Sequence, residues 1–482
     1  MIKLSQSKLD INDLSLRPVF DDMQGNILKS HGRSYSRHIF LQFTADAEPI
    51  QQWIGQLSSR ITSAYEQHQT SLDFKTFGKE HLFTGFMLSY EGYKALGITR
   101  RKIPDDKAFR RGMKDIDFRY DTGPSGVHER TINPMNDNPK DWEPAFQERI
   151  DALLILAYGG TTVDAEVCET LLDAEVEKVN AEIAGIAKIL TIEEGFVLRN
   201  DQGAVIEHFG FADGISNPVF FKADFDRWEA REGTDQNDPS GHFSLIAVDD
   251  PGGKDRDNSF GTYFVYRKMQ QNIKGFREQA QKFAAELSEK VGHEVSEELA
   301  EAFAIGRMKD GTPLVNLSEE KQVLNNFGYE DDMEGMGCPF RSHIRKTNPR
   351  GDTNRLNKVP IWSERSKRIV RRGISYGSED VSPETEWTDA GLLFLSCQSD
   401  IEQQFLVMQC GWCDNPNFLV GGTDHDPITG DQNANTEVDI KPWEFEIEGK
   451  KVSTNFRYKD LVRIRGGEYF FAPSISFCKQ FI

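Results

Sequence analysis

The chain lacks an excess of basic residues, has no long apolar run and holds few cysteines for its length. Lys and Arg number 57 against 77 Asp and Glu, a net charge of −20. Phosphate backbones select for basic surfaces, so nucleic acid is excluded as the main partner, and anionic membrane surfaces with it. No stretch approaches the roughly 18 apolar residues of a spanning helix. Residues Met1 to Lys8 contain no apolar run of signal-peptide type. The expectation is a cytoplasmic protein with no membrane association. The six cysteines (Cys168, Cys338, Cys397, Cys410, Cys413 and Cys478) do not make a disulfide framework in 482 residues. Cys410 and Cys413 are spaced C-x-x-C, but no second pair completes a zinc site, so reduced thiols are expected.

What is present is an ordinary globular composition, 38% hydrophobic and 28% charged, in a length that fits two or more domains. Ser36 to Thr44 reads as a strand, being aromatic and β-branched. Ile50, Trp53, Ile54, Leu57 and Ile61 recur at helical spacing, predicting one helix from Pro49 to about Gln67. A strand near Leu82–Leu88 and a short helix over Tyr90–Leu96 follow. Residues 101–148 read as a long connection. Ala152–Tyr158 is an apolar run bounded by glycines, a buried strand. Val163, Val167, Leu171 and Ala174 mark a helix capped by Thr161 or Thr162. Another strand is expected at Phe196–Arg199.

The order strand, helix, strand, strand, helix, strand is that of a ferredoxin-like unit. Related elements recur after a loop at about 222–258. They are a strand at Gly261–Arg267, a helix from Ile273 to Leu287, a helix from Ser296 to Ile305, a strand at Leu392–Cys397 and a helix from Ile401 to Met408. The predicted fold is α+β, two ferredoxin-like halves in a dimeric α+β barrel-like arrangement, with antiparallel sheets covered by helices on one face. The halves are drawn at 1–220 and 221–482.

Three stretches could carry chemistry. Cys338 to Arg350 holds His343 among Arg341, Arg345, Lys346 and Arg350. It is either a basic surface loop or an imidazole metal ligand with cations near the carboxylates of a haem. Gly210-Phe211-Ala212-Asp213-Gly214 is either a turn or a general acid/base, Asp213, flanked by glycines that let backbone approach a planar ligand. Lys367 to Gly377 is a cationic strand in which Ile369, Arg371 and Gly373 face one way and Val370 and Arg372 the other. An early Met23-Gln24-Gly25-Asn26-Ile27-Leu28-Lys29 carries a Gly-Asn turn signal.

Together these segments resemble the dye-decolourising peroxidase family. Gly210 to Gly214 matches its G-x-x-D-G motif, Cys338 to Arg350 resembles its proximal-histidine segment, and Arg371 to Gly377 resembles its distal-arginine segment. Gly25 to Lys29 is similar to its N-terminal signature. The resemblance spans about residues 20–410. It implies haem b held by His343, with Asp213 and Arg371 on the opposite face. It implies a peroxidase that reduces hydrogen peroxide to water while oxidising a bulky organic donor, an anthraquinone-type dye or a phenol, in one-electron steps. A haem-handling protein without peroxidase turnover is the competing reading. Arg341 and Arg345 are expected near the cofactor, with Leu392 and Phe394 as an apolar wall or as ordinary core. A proximal imidazole usually donates its second N–H to an acceptor. Asp400 is the candidate, with Glu402 as the alternative. Tyr376, Trp362, Trp387, Trp412 and Trp443 are candidate surface relays for electrons. The chain is expected to be a monomer or a homodimer.

An aspartate has a reference pKa of about 3.9, against about 6.5 for the imidazole that serves plant-type peroxidases. A carboxylate base therefore remains competent in mild acid. Peroxidase activity is expected to peak below neutrality, and a pH–rate profile peaking well above it would exclude Asp213 as the base.

Overall fold

A computed structural model describes residues 2–115, 119–120, 130–131, 137–160, 163–317, 324–431 and 439–482. Its centre is one antiparallel sheet that closes on itself. In the first half the strands are β1 (Tyr35–Phe43), β2 (Phe83–Leu88), β3 (Ala152–Tyr158) and β4 (Ala187–Phe196). In the second they are β5 (Phe260–Gln271), β6 (Val370–Arg371), β7 (Ile374–Gly377), β8 (Ala390–Gln398) and β9 (Val462–Ala472). The order runs β5-β9-β2-β3-β1-β4-β7-β8, and β8 pairs back onto β5 to complete the ring. β6 and β7 lie along β8 in one register, with Arg371 opposite Ser396 and Ile374 opposite Leu393. Within each half the order is the ferredoxin-like one. The halves join where β4 meets β7 and where β9 meets β2. The expected α+β barrel-like fold is the one observed.

The barrel is filled, not open. Phe40 on β1 lies 4.8 Å from Tyr266 on β5 and 6.2 Å from Phe470 on β9. These strands are not neighbours of β1 in the sheet, so the contacts cross the interior. Lys268 joins this interior and is satisfied there by Glu193 at 2.9 Å and Glu143 at 3.0 Å. Helices cover the outside. Among them are α1 (Ala47–Leu57), α2 (Ala64–Phe77), α3 (Ala165–Glu182), α4 (Ile273–Val291) and α5 (Glu297–Ile305). Ser296 caps α5 through its Oγ as expected. A second core forms where α4 and α5 pack on the hairpin of Trp443–Ile447 and Lys450–Thr454.

Four expectations change. The single helix over 49–67 is two, because Ser63 caps α2 by accepting from Glu66 N. Asp164 caps α3, which runs on to Glu182, and Thr161 and Thr162 lie outside the described residues. β4 ends at Phe196 where a strand was expected to begin. Its Glu193 faces the barrel, so a buried charge masks the apolar alternation. β9 has no counterpart in the sequence reading. Gly466 and Gly467 interrupt it at a bulge, and a Cβ there would stand 2.1 Å from the Phe146 ring and 2.5 Å from Met113 Sδ.

The chain's end is tied to the barrel by Asp250. Its Oδ2 accepts from Ser474 N at 2.8 Å and Ser474 Oγ at 2.7 Å. Burial outweighs these bonds and pushes its pKa up to about 6. The folded state therefore holds a proton there that the unfolded chain, near 3.9, releases earlier. Stability contributed by that proton is complete below about pH 4 and lost by about pH 6, a change of about 2–3 kcal/mol. Denaturant unfolding across pH 4 to 6 is expected to show this decline, and Asp250→Asn should flatten it.

Candidate active site

Outside the barrel, between β5, β6 and β8 and the segments that cover them, lies an apolar cavity of about 280 Å³. Strand alternation sets its floor. Met269 and Gln271 come from β5, Leu392 and Phe394 from β8, and Ile369 and Arg371 from the β6 segment. Its far wall is the π-helix Ile401–Cys413, which contributes Phe405, Met408, Gln409 and Cys413.

His343 opens a short helix, α6 (His343–Thr347). His343, Ile344 and Thr347 face the cavity, and the intervening residues face away. The His343 Nδ1 lies 2.8 Å from Asp426 Oδ2. An ionised carboxylate only accepts, so Nδ1 is the donor, and Nε2 is the ring nitrogen that Asp426 does not engage. Asp426 is fully buried, and its Oδ1 also accepts from Ile428 N and Thr429 N. Burial pushes the carboxyl up, but His343 and these N–H groups outweigh it and hold the pKa below the usual range.

Asp213 and Arg371 meet in the same cavity, one from each half. Arg371 Nη1 donates to Asp213 Oδ1 at 3.0 Å and Nη2 donates to Ile215 O at 2.8 Å. The G-x-x-D-G loop is shaped by Glu207, three residues before its first glycine. Its carboxylate accepts from Phe209 N, Phe211 N and Gln271 Nε2. Burial raises the Glu207 pKa.

Three further guanidiniums line the cavity. Arg307 and Arg350 both donate to Ser216 Oγ, at 2.8 and 3.0 Å. Ser216 holds a positive φ of 68° to receive them. Arg368 donates to Ser240 O and Arg365 O. Among the described residues none of the three has a carboxylate partner. Burial pushes their pKa values down, to about 10, 9 and 10.

Several expected residues stand elsewhere. Arg345 is fully buried and donates to Asp352 Oδ2 and Asp332 Oδ2, both at 2.7 Å. Arg341 pairs with Asp424 at 3.2 Å and stacks over Trp443. Both point away from the cavity because they fall off the His343 face of the chain. Asp400 caps the π-helix by accepting from Gln403 N and, with Glu402, lines a separate surface cleft. The first turn of that helix is turned away from the cavity, so neither can reach His343, and Asp426 holds that position. Of the five aromatic candidates, Tyr376, Trp412 and Trp443 are buried, Trp387 is partly so, and Trp362 is 71% exposed. Asp426, Glu207 and Arg307 escaped sequence reasoning. Each sits in a loop or turn whose partner is distant in the chain, so no periodic pattern marks it. Among the described residues no group of three or more His, Cys, Asp or Glu forms a metal cage, and no helix is long and apolar enough to cross a membrane.

No protein-family model matches the chain. A multifunctional dye peroxidase from Amycolatopsis sp. is 33% identical over 486 residues, covering 96% of each chain. A dye-decolorizing peroxidase from Mycetinis scorodonius is 33% identical over 80% of this chain and 74% of its own. The crystal structure of a DyP-type peroxidase from Anabaena sp. superposes with a TM-score of 0.86 at 37% identity, over 99% of both chains. Identity of one third along nearly the whole of both chains, on one fold, leaves a single assignment: this chain belongs to the dye-decolourising peroxidase family of haem enzymes.

Proposed function

We propose that the cavity holds haem b through His343 Nε2, and that the chain reduces hydrogen peroxide there at the expense of bulky organic donors such as anthraquinone-type dyes and phenols. Residues 221–482 supply the iron ligand and Arg371, and residues 1–220 supply Asp213. The observation that carries the reading is the donor set around one apolar cavity. An imidazole with Nδ1 committed to Asp426 is preset to bind iron through Nε2. Buried guanidiniums without carboxylate partners fit a ligand that brings carboxylates of its own. Arg307, Arg350 and Arg368 are the residues for the propionates, in place of Arg341 and Arg345. Leu392, Phe394, Met269 and Phe405 offer the porphyrin its apolar contacts.

When bound, haem supplies the redox-active iron at which peroxide is reduced and organic donors lose single electrons. The chain's own residues handle protons and charge. Asp213 takes a proton from the incoming peroxide and returns one to the departing oxygen. Its Oδ1 is held by Gly214 N at 2.6 Å and by Arg371, which keeps it in place as an acceptor. Arg371 stabilises the negative charge that develops as the O–O bond breaks.

Replacing Asp213 by Asn separates this from haem handling. The variant is expected to load haem normally, judged by its Soret band, and to react with peroxide about 10²- to 10⁴-fold more slowly in stopped flow. Unchanged peroxide reactivity would favour a haem-handling role. The cations are separable too. Arg350→Met should weaken haem retention with little change in apoprotein stability. Arg345→Met should do the reverse, because it removes a fully buried cation shared by Asp332 and Asp352, although Asp352 keeps Arg355, at a cost of about 3 kcal/mol. Haem titration and denaturant unfolding of each apoprotein read the two effects.

A further inference from the structure

We infer that the Gly25-Asn26-Ile27 turn of the first half is a positioning element for the peroxide site: its carbonyls grip Arg372, and that grip sets where the neighbouring Arg371 guanidinium stands. The inference rests on the role of Arg371 given above.

Arg371 ends β6 and Arg372 follows it in extended backbone, its N donating to Leu395 O of β8, so the two side chains leave opposite faces. Arg371 enters the cavity. Arg372 goes the other way and is buried. Its Nε donates to Asn26 O at 2.8 Å, its Nη2 to Ile27 O at 2.7 Å and its Nη1 to Arg371 O at 2.9 Å. Among the described residues no carboxylate pairs with it, and burial holds its pKa below the guanidinium range. A buried cation held by carbonyls alone is a poor way to gain stability. It is a precise way to fix a strand, because a planar fork bonded to two successive carbonyls has one orientation.

The turn that receives the fork is itself immobilised. Asn26 holds a positive φ of 64°. Its N donates to Gln67 Oε1 at 2.6 Å, its Oδ1 accepts from His31 N, and Gln67 Nε2 donates on to Ser30 O at 2.8 Å. A Cβ on Gly25 would stand 2.6 Å from Gln67 Oε1 and 2.7 Å from the Phe83 ring, so glycine is required there. One edge of this segment is held by β8, through Val370 opposite Cys397, Arg371 opposite Ser396 and Arg372 N donating to Leu395 O at 2.7 Å. Its other edge is held by Asn217, whose Oδ1 accepts from Arg371 N at 3.0 Å. Asn217 lies four residues past Asp213. The Asp213–Arg371 pair is therefore set by two clamps from the first half, Asn217 on the backbone and the turn on the next side chain.

The test compares the haem-loaded wild type with Arg372→Lys, Arg372→Met and Gln67→Leu, the last loosening the turn without touching Arg372. Arg371→Leu runs in parallel. Stopped-flow reaction with peroxide is expected to slow about 10- to 100-fold in both Arg372 variants, less in Lys than in Met. In Gln67→Leu it should slow about 3- to 10-fold. The KM for peroxide rises, and the rate at which donor restores the resting enzyme does not change. Cyanide, an anion that reports the distal charge, should bind about 10-fold more weakly by spectral titration. A crystal structure of Arg372→Lys should show Arg371 displaced from its 3.0 Å contact with Asp213. Peroxide rates and cyanide affinity within twofold of wild type in Arg372→Lys and Gln67→Leu overturn the inference, even if Arg372→Met fails to fold. If Arg371→Leu itself keeps full peroxide reactivity, the reading of Arg371 fails instead.

Discussion

An imidazole whose Nδ1 proton is committed to a buried carboxylate has one nitrogen left to offer, and the cavity is built around that nitrogen. Asp426 fixes the tautomer and the ring plane of His343 together. Its own charge is tolerated in the interior because two backbone N–H groups complete its shell. Two turns of loop and one short helix are thereby locked to a single orientation. The helix then decides by its own period which residues reach the cavity. His343, Ile344 and Thr347 do, and Arg345 and Lys346 are sent to structural bonds on the other side.

Charge in the rest of the site follows the same economy. The chain carries a net charge of −20, yet the cavity wall gathers Arg307, Arg350, Arg368 and Arg371. Among the described residues only Arg371 meets a carboxylate there, and that carboxylate is the proposed base. The other three lean on hydroxyl and carbonyl oxygens, which solvate a cation without neutralising it. A bound dianion would complete them. The acidity of the outer surface and the basicity of the cavity are thus separate matters, and net charge alone says nothing of the second.

How much of this could be read in the sequence depends on the range of the interactions. Elements rich in aromatic and β-branched residues or in a continuous apolar run, such as β1 and β3, are legible because burial on both faces writes itself into neighbouring residues. β4 and β9 are not, because Glu193 and the Gly466-Gly467 pair break the alternation for reasons that lie across the barrel: a lysine partner in one case, the Phe146 ring in the other. The site behaved alike. His343, Asp213, Arg371, Leu392 and Phe394 are marked by local motif and strand parity, and all five line one cavity. Asp400 was chosen for nearness in sequence to a cavity strand, but the acceptor for His343 comes from a loop with no period at all. Arg341 and Arg345 flank the histidine in sequence, but Arg345 leaves the helix on its far side for Asp332 and Asp352, and Arg341, ahead of the helix, pairs with Asp424.

The π-helix from Ile401 to Cys413 has a reason in the same geometry. At ordinary helical spacing a residue seven positions after Phe405 returns to the same face, and that residue is Trp412. Its indole would then fill the space beside His343. The wider i→i+5 winding, seen in the bond from Asp414 N to Gln409 O, rotates Trp412 outward, where it stacks on Phe418 at 5.2 Å. Gln409 and the small side chain of Cys413 face the cavity instead. The weaker helical geometry is held at its start by Asp400 on Gln403 N and by Asp106 on Ile401 N. Those two carboxylates close the first turn on the side away from the cavity, while the i→i+5 bond at the far end governs where Trp412 and Cys413 point.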